Sequence, residues 1–199
     1  MTRITEHAAG LSWVMEEPMA RASHALADDG RVWLVDPVDD AGALARAAEL
    51  GAPAGVLQLL DRHNRDCAAI AARLGVPHLR VPDAVPDAPF DVVRVIRNRL
   101  WRESALWWPA HRALVVAEVL GTVPAFALGD GDVGVHPMVR LTPPNVLRGI
   151  DPELLLVGHG APVQGPAVAS EVEQAIAHAR RDAPRLLLKL PSLIRDARR

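Results

Sequence analysis

The 199-residue chain has a single cysteine, Cys67, so no intramolecular disulfide can form. That suits a reducing compartment, and the cytoplasm is the expected location. Tyrosine is absent and only two phenylalanines occur, against five tryptophans. No uninterrupted apolar run reaches the length of a membrane span, so no transmembrane helix is expected. The opening MTRITEHAAGLSWVMEEP lacks the apolar core of a signal peptide. A formal net charge of −2 provides no overall attraction to nucleic acid. Half the residues are hydrophobic, enough for a core within one domain over residues 1–199.

The apolar pattern alternates between strand-like and helix-like segments. GLSWVM, RASHALA and RVWLVDP read as strands, with DDG between the last two as a hairpin turn. DAGALARAAEL reads as an amphipathic helix stopped by Gly51, and AGVLQLL as a strand buried on both faces. CAAIAARL is a second helix, closed by Gly75. HLRVP, DVVRVI, SALWWP and RALVVAEVL continue as strands, and DPELLLVGHG is a strand running into a Gly-His-Gly turn. The stretch 166–182 predicts a long helix that Pro184 breaks. Sheets covered by helices are the implied architecture. The terminal segment 180–199 holds seven basic residues against two acidic ones; it is expected to cover its own sheet, with docking on a second copy, a partner or an anionic membrane surface as the alternatives.

Chemistry-bearing residues gather at three strand ends: Asp61, His63 and Asp66 after VLQLL, Glu118 after LVVA, and His159 after LLLVG. If these tips converge on one rim, they bring carboxylates and imidazoles together, a donor set suited to zinc, manganese or iron.

These motifs and their order resemble the metallo-β-lactamase superfamily, in which a strand ends in a His-x-His-x-Asp-His loop that opens a helix. LLDRHNRDCAAIAARLGVP occupies the place of that loop, HRALVVAEVLG that of a strand ending in Gly-Asp, and LLLVGHGAPV that of the closing Gly-His-Gly strand. The resemblance implies an α/β fold, a four-layer αββα sandwich of two mixed sheets packed face to face. It also implies a metal-dependent hydrolase of a small ester, thioester, lactone or phosphoester. Aligned on His63, the pattern puts Asp61 at the first histidine, Arg65 at the metal-binding aspartate and Asp66 at the third histidine. Glu118 stands at the bridging aspartate, His159 is retained, and only Glu103 is on offer where a further histidine is usual.

The implied metal set is therefore Asp61, His63, Asp66, Glu118 and His159, with Asp66 or Glu118 as general base. Like-charged pairs among these acids cost about 4 kcal/mol each at about 4 Å and an effective dielectric of about 20, so the pocket needs a cation. One divalent ion would serve. So would Arg65 turned inward, making the site a metal-free ion-pair network in a binding or regulatory module, and the sequence favours this second reading. Asp36 is expected to cap a turn, Cys67 and His24 to be structural, His111 to be solvated, and Trp101, Trp107 and Trp108 to fill the core. His136 lies in a loop within reach of the pocket.

Overall fold

A computed structural model describes residues 2–63, 65–128 and 131–196, with side chains in the last segment described to residue 184. The first strand, β1 (Thr2–His7), forms an antiparallel hairpin with β2 (Gly10–Met15). β1 is not among the expected strands, because TRITEH is an edge segment with little apolar content to mark it. β3 (Ala22–Asp28) and β4 (Arg31–Val35) follow, joined at Asp29 and Gly30 with φ of 43° and 71°, the paired positive values a two-residue hairpin loop needs. Helix α1 (Ala41–Ala48) starts at Asp40, whose carboxylate accepts the Ala43 amide at 2.8 Å. β5 (Ala52–Gln58), α2 (Cys67–Leu74) and β6 (His78–Arg80) complete a six-stranded sheet in the order β1-β2-β3-β4-β5-β6, whose last two pairings are parallel. Alternation along β4 divides its side chains. Val32 and Leu34 join a buried cluster with Ala43, Ala47, Ile70 and Cys67 of the two helices, and Trp33 and Val35 face the central core.

The second sheet is built from β7 (Asp91–Arg97), β8 (Arg102–Trp108), β9 (Ala113–Val115), β12 (Leu154–Leu156) and β13 (Val163–Gln164). A small hairpin of β10 (Leu120–Gly121) and β11 (Gly134–Val135) lies between β9 and β12 in the chain. Leu57, Leu59, Leu106, Trp108, Leu114 and Leu155 share one core cluster, so the sheets pack face to face. Two mixed sheets with flanking helices form the expected α/β sandwich.

Helix α3 (Val168–Asp196) buries Val168, Val172, Ile176 and Ala179, spaced for one helical face. The expected break at Pro184 is corrected: the helix runs through it. An interior proline costs about 3 kcal/mol, and the RLLLKL stretch that follows it consists of good helix formers. Arg180 Nε donates to the Leu141 carbonyl at 3.0 Å, so the start of the basic segment 180–199 contacts its own chain. The docking alternatives otherwise rest on side chains outside the described residues. Among the described residues, no helix is long and apolar enough to cross a membrane.

A buried polar chain ties the sheets together. His7 Nε2 lies 2.9 Å from Ser12 Oγ, which lies 2.7 Å from His24 Nδ1, and His24 Nε2 donates to the Val157 carbonyl at 3.1 Å. Burial lowers His24 to about 3 and His7 to about 4, so both are neutral. The unfolded chain takes up these protons near the ordinary value of 6.5 and the folded chain does not. Stability is therefore complete above that pH and falls as the pH drops below it, by about 1.4 kcal/mol per unit for each histidine. Urea denaturation at about pH 7.5 and about pH 5 should show wild type losing about 2 kcal/mol more than His24→Gln, which removes the His24 titration.

Candidate metal centre

Three strand ends meet at one point. β5 runs into the loop carrying His63, the chain after β9 carries Glu118, and β12 ends in Gly158-His159-Gly160. One ligand atom from each of His63, Glu118 and His159 lies within 4.8 Å of the others. His63 Nε2 is 3.2 Å from Glu118 Oε1, and His159 Nε2 is 3.4 Å from the same oxygen. The Gly-His-Gly sequence fits this crowding. A Cβ on Gly158 would lie 2.2 Å from the Ala117 carbonyl oxygen and 3.0 Å from His63 Cε1, and Gly160 holds φ +109°.

The outer edges of both imidazoles are fixed. His63 Nδ1 faces Asp36 Oδ2 at 3.2 Å, and His159 Nδ1 donates to the Met19 carbonyl at 2.8 Å. Asp36, at φ 44°, does cap the strand end, since its Oδ1 accepts the Leu59 amide at 3.2 Å. It also orients His63. A carbonyl only accepts, so His159 carries its proton on Nδ1 and presents a lone pair on Nε2 to a carboxylate oxygen that likewise only accepts. This mismatch needs a cation, either a further proton on the imidazole or a metal ion.

Glu118 is placed by Glu103. Fully buried, Glu103 accepts the amides of Ala117, Glu118 and Val119 on Oε1 at 3.1, 2.8 and 3.0 Å, and the Trp101 indole on Oε2 at 2.8 Å. Burial pushes Glu103 up to about 7, against the pull of these donors. Burial would raise Glu118 too, but the two imidazoles beside it, His159 and His63, outweigh it and hold Glu118 well below the usual carboxylate range. For His63, burial opposes the charged form, yet Asp36 and Glu118 together raise its pKa above the ordinary value.

Arg65 does not clamp the acids. Its guanidinium donates to three backbone carbonyls: Ala22, Asp36 at 3.0 Å and Gly158 at 2.8 Å. It pins β3, the Asp36 turn and the His159 loop together and is not hydrogen-bonded to Asp61 or Glu118. That removes the main support for the ion-pair reading. Arg65→Ala should cost about 2–4 kcal/mol in urea denaturation, with Arg65→Lys restoring less than half, because one ammonium cannot span three carbonyls.

The other expected ligands sit elsewhere. Asp66 Oδ2 accepts the Asp39 amide at 2.8 Å, bracing the start of α2. Asp61 lies outside the trio, its Oδ1 buried without a hydrogen-bond partner. His136 is close: its ring meets Trp101 and Phe126, each at 4.9 Å between centroids, and Phe126 stacks on His159 at 6.0 Å. Its Nδ1 accepts the Met138 amide at 3.2 Å, leaving the ring proton on Nε2. Burial lowers His136 to about 4. His111 packs edge-on against Trp108 at 4.2 Å. Trp101 and Trp108 are buried as expected, and Trp107 packs partly buried against the core. The Met19 carbonyl left no sequence signal, since any residue supplies one.

Comparison with solved structures decides the fold. VMB-1 superimposes at a TM-score of 0.63 over 92% of this chain and 98% of its own, at 10% identity. DIM-1 metallo-β-lactamase gives 0.59 over 92% and 97%, at 13% identity. The chain has the metallo-β-lactamase fold. TMB-1 agrees, at 0.59 over 92% and 97% with 12% identity. No family model matches the sequence, and no curated protein matches it either. Within the metallo-β-lactamase fold, this chain's trio takes His63 from the chain between β5 and α2, and Glu118 and His159 from the second half.

Proposed function

We propose that the chain is a hydrolase with a single divalent ion held by His63 Nε2, His159 Nε2 and Glu118. The observation that carries this is the outward-facing Nδ1 of each imidazole, anchored on Asp36 and on the Met19 carbonyl, with both Nε2 atoms turned onto one carboxylate oxygen. Histidines that bind metal are oriented in this way by partners on their other nitrogen. The spacing to the shared oxygen suits the ion as well: ligand atoms of a tetrahedral zinc lie about 3.3–3.5 Å apart, and the two imidazole nitrogens lie 3.2 and 3.4 Å from Glu118 Oε1. Two imidazoles and a carboxylate are the donors of an open catalytic zinc site. When bound, such an ion would supply Lewis acidity and an activated water.

The protein's own groups divide the remaining work. Asp36 and Met19 fix the imidazole tautomers, Glu103 fixes the backbone of Glu118, and Glu118 supplies the carboxylate donor of the trio. Asp66 braces the helix start in this reading. The substrate class is a small ester, thioester, lactone or phosphoester.

One observation favours the metal-free reading: His63 sits between two carboxylates, Asp36 and Glu118, which suits an imidazolium. Metal content separates the two. Protein purified without added metal should carry about one equivalent of zinc, manganese or iron by mass spectrometry, and EDTA should lower its Tm. Metal-free protein with an EDTA-insensitive Tm would sink the hydrolase and leave the ion-pair network.

A further inference from the structure

A second hollow lies beside the trio. A cavity of about 290 Å³ opens between α3 and the chain around β11, at the small end of the range for ligand pockets. Phe126, Val133 and Val135 form one wall, and Phe126 is the residue whose ring also stacks on His159. The polar lining includes Arg140, Glu171, Arg181 and Asp182, two charges of each sign.

Arg140 is the unusual member. Only 3% exposed, it donates through Nη2 to the Phe126 carbonyl, and its Nε is buried without an acceptor. Glu171 Oε2 is likewise buried without a donor. Arg140 and Glu171 both line this cavity, and each carries one unsatisfied polar atom beneath its surface, a guanidinium N–H and a carboxylate oxygen; such groups cost stability until a partner arrives. Balanced charge disfavours a ligand carrying one sign alone. A zwitterion satisfies both groups, its carboxylate accepting from Arg140 and its ammonium donating to Glu171, and the apolar wall takes a hydrocarbon side chain.

We propose that this cavity binds a free α-amino acid with an apolar side chain, its carboxylate on Arg140 and its ammonium on Glu171.

The probes are L-methionine, L-methioninamide, which lacks the carboxylate, and the N-trimethyl betaine of methionine, which lacks N–H donors. Isothermal titration of the full chain should show saturable L-methionine binding at least about tenfold tighter than either analogue. Glu171→Gln should abolish the preference over the betaine, and Arg140→Gln the preference over the amide. Arg140 is buried and its variant could unfold, but the half-buried Glu171 keeps the test decisive. EDTA should leave the binding unchanged, which separates this site from the metal centre. No saturable binding at about 10 mM, or equal affinity for all three probes, would overturn the assignment.

Discussion

Glu118→Ala should weaken zinc binding at least about 100-fold, measured by competition with a chromogenic chelator. Loss of a group that merely orients a ligand costs about 10–100-fold, and Glu118 is itself the carboxylate of the trio. Proton NMR of the imidazoles adds an independent readout. In the zinc-loaded wild type, His63 should not titrate across the neutral range, because the ion competes with protons for Nε2. In the variant it should titrate again. An affinity unchanged within about twofold would exclude Glu118 as a ligand. If the protein is instead metal-free, Glu118→Ala should lower the His63 pKa, since one of the two carboxylates that raise it is gone.

Glu103→Leu should be among the most destabilising single changes in the chain. It strips the acceptor from the amides of Ala117, Glu118 and Val119 and from the Trp101 indole, all in the interior. Each orphaned donor costs about 1–3 kcal/mol, partly recovered by relaxation and by no longer burying a carboxylate, so the net loss should be about 3–5 kcal/mol. For a chain of this length that lowers Tm by about 6–20 °C. Glu103→Gln keeps an oxygen for the three amides and places its NH2 against the indole, so about 1–2 kcal/mol should be lost. Differential scanning calorimetry measures both. A leucine variant as stable as wild type would show that Glu103 does not hold this loop.

Much of the fold was legible because the chain is locally consistent. The Asp-Gly turn, the Gly75 stop and the Gly-His-Gly crowding are each required by backbone geometry, and backbone geometry leaves its mark on residue choice. His63, Glu118 and His159 were readable as candidates because polar residues interrupt apolar strands at their ends. The partners of those residues were harder to see. Asp36 looks like any aspartate before a proline, and whether it turns to His63 depends on a pairing 27 residues away. Glu103 resembles a displaced ligand in sequence, yet its carboxylate faces backbone amides that carry no residue-specific sign. Arg65 could be placed in the loop, but charge arithmetic directed it to carboxylates when the available acceptors were carbonyls. Asp61 and Asp66 belong to the same cluster in sequence, and the Asp66 carboxylate is taken by the Asp39 amide.

The trio is assembled from both layers of the sandwich. His63 leaves the first sheet, Glu118 and His159 leave the second, and 55 residues separate the first two. No single hairpin or helix pair contains the whole set, so a half-formed chain has nowhere to seat a cation. An ion captured there would rivet one layer to the other, and its uptake during refolding would clock the moment the two halves of the molecule close on each other.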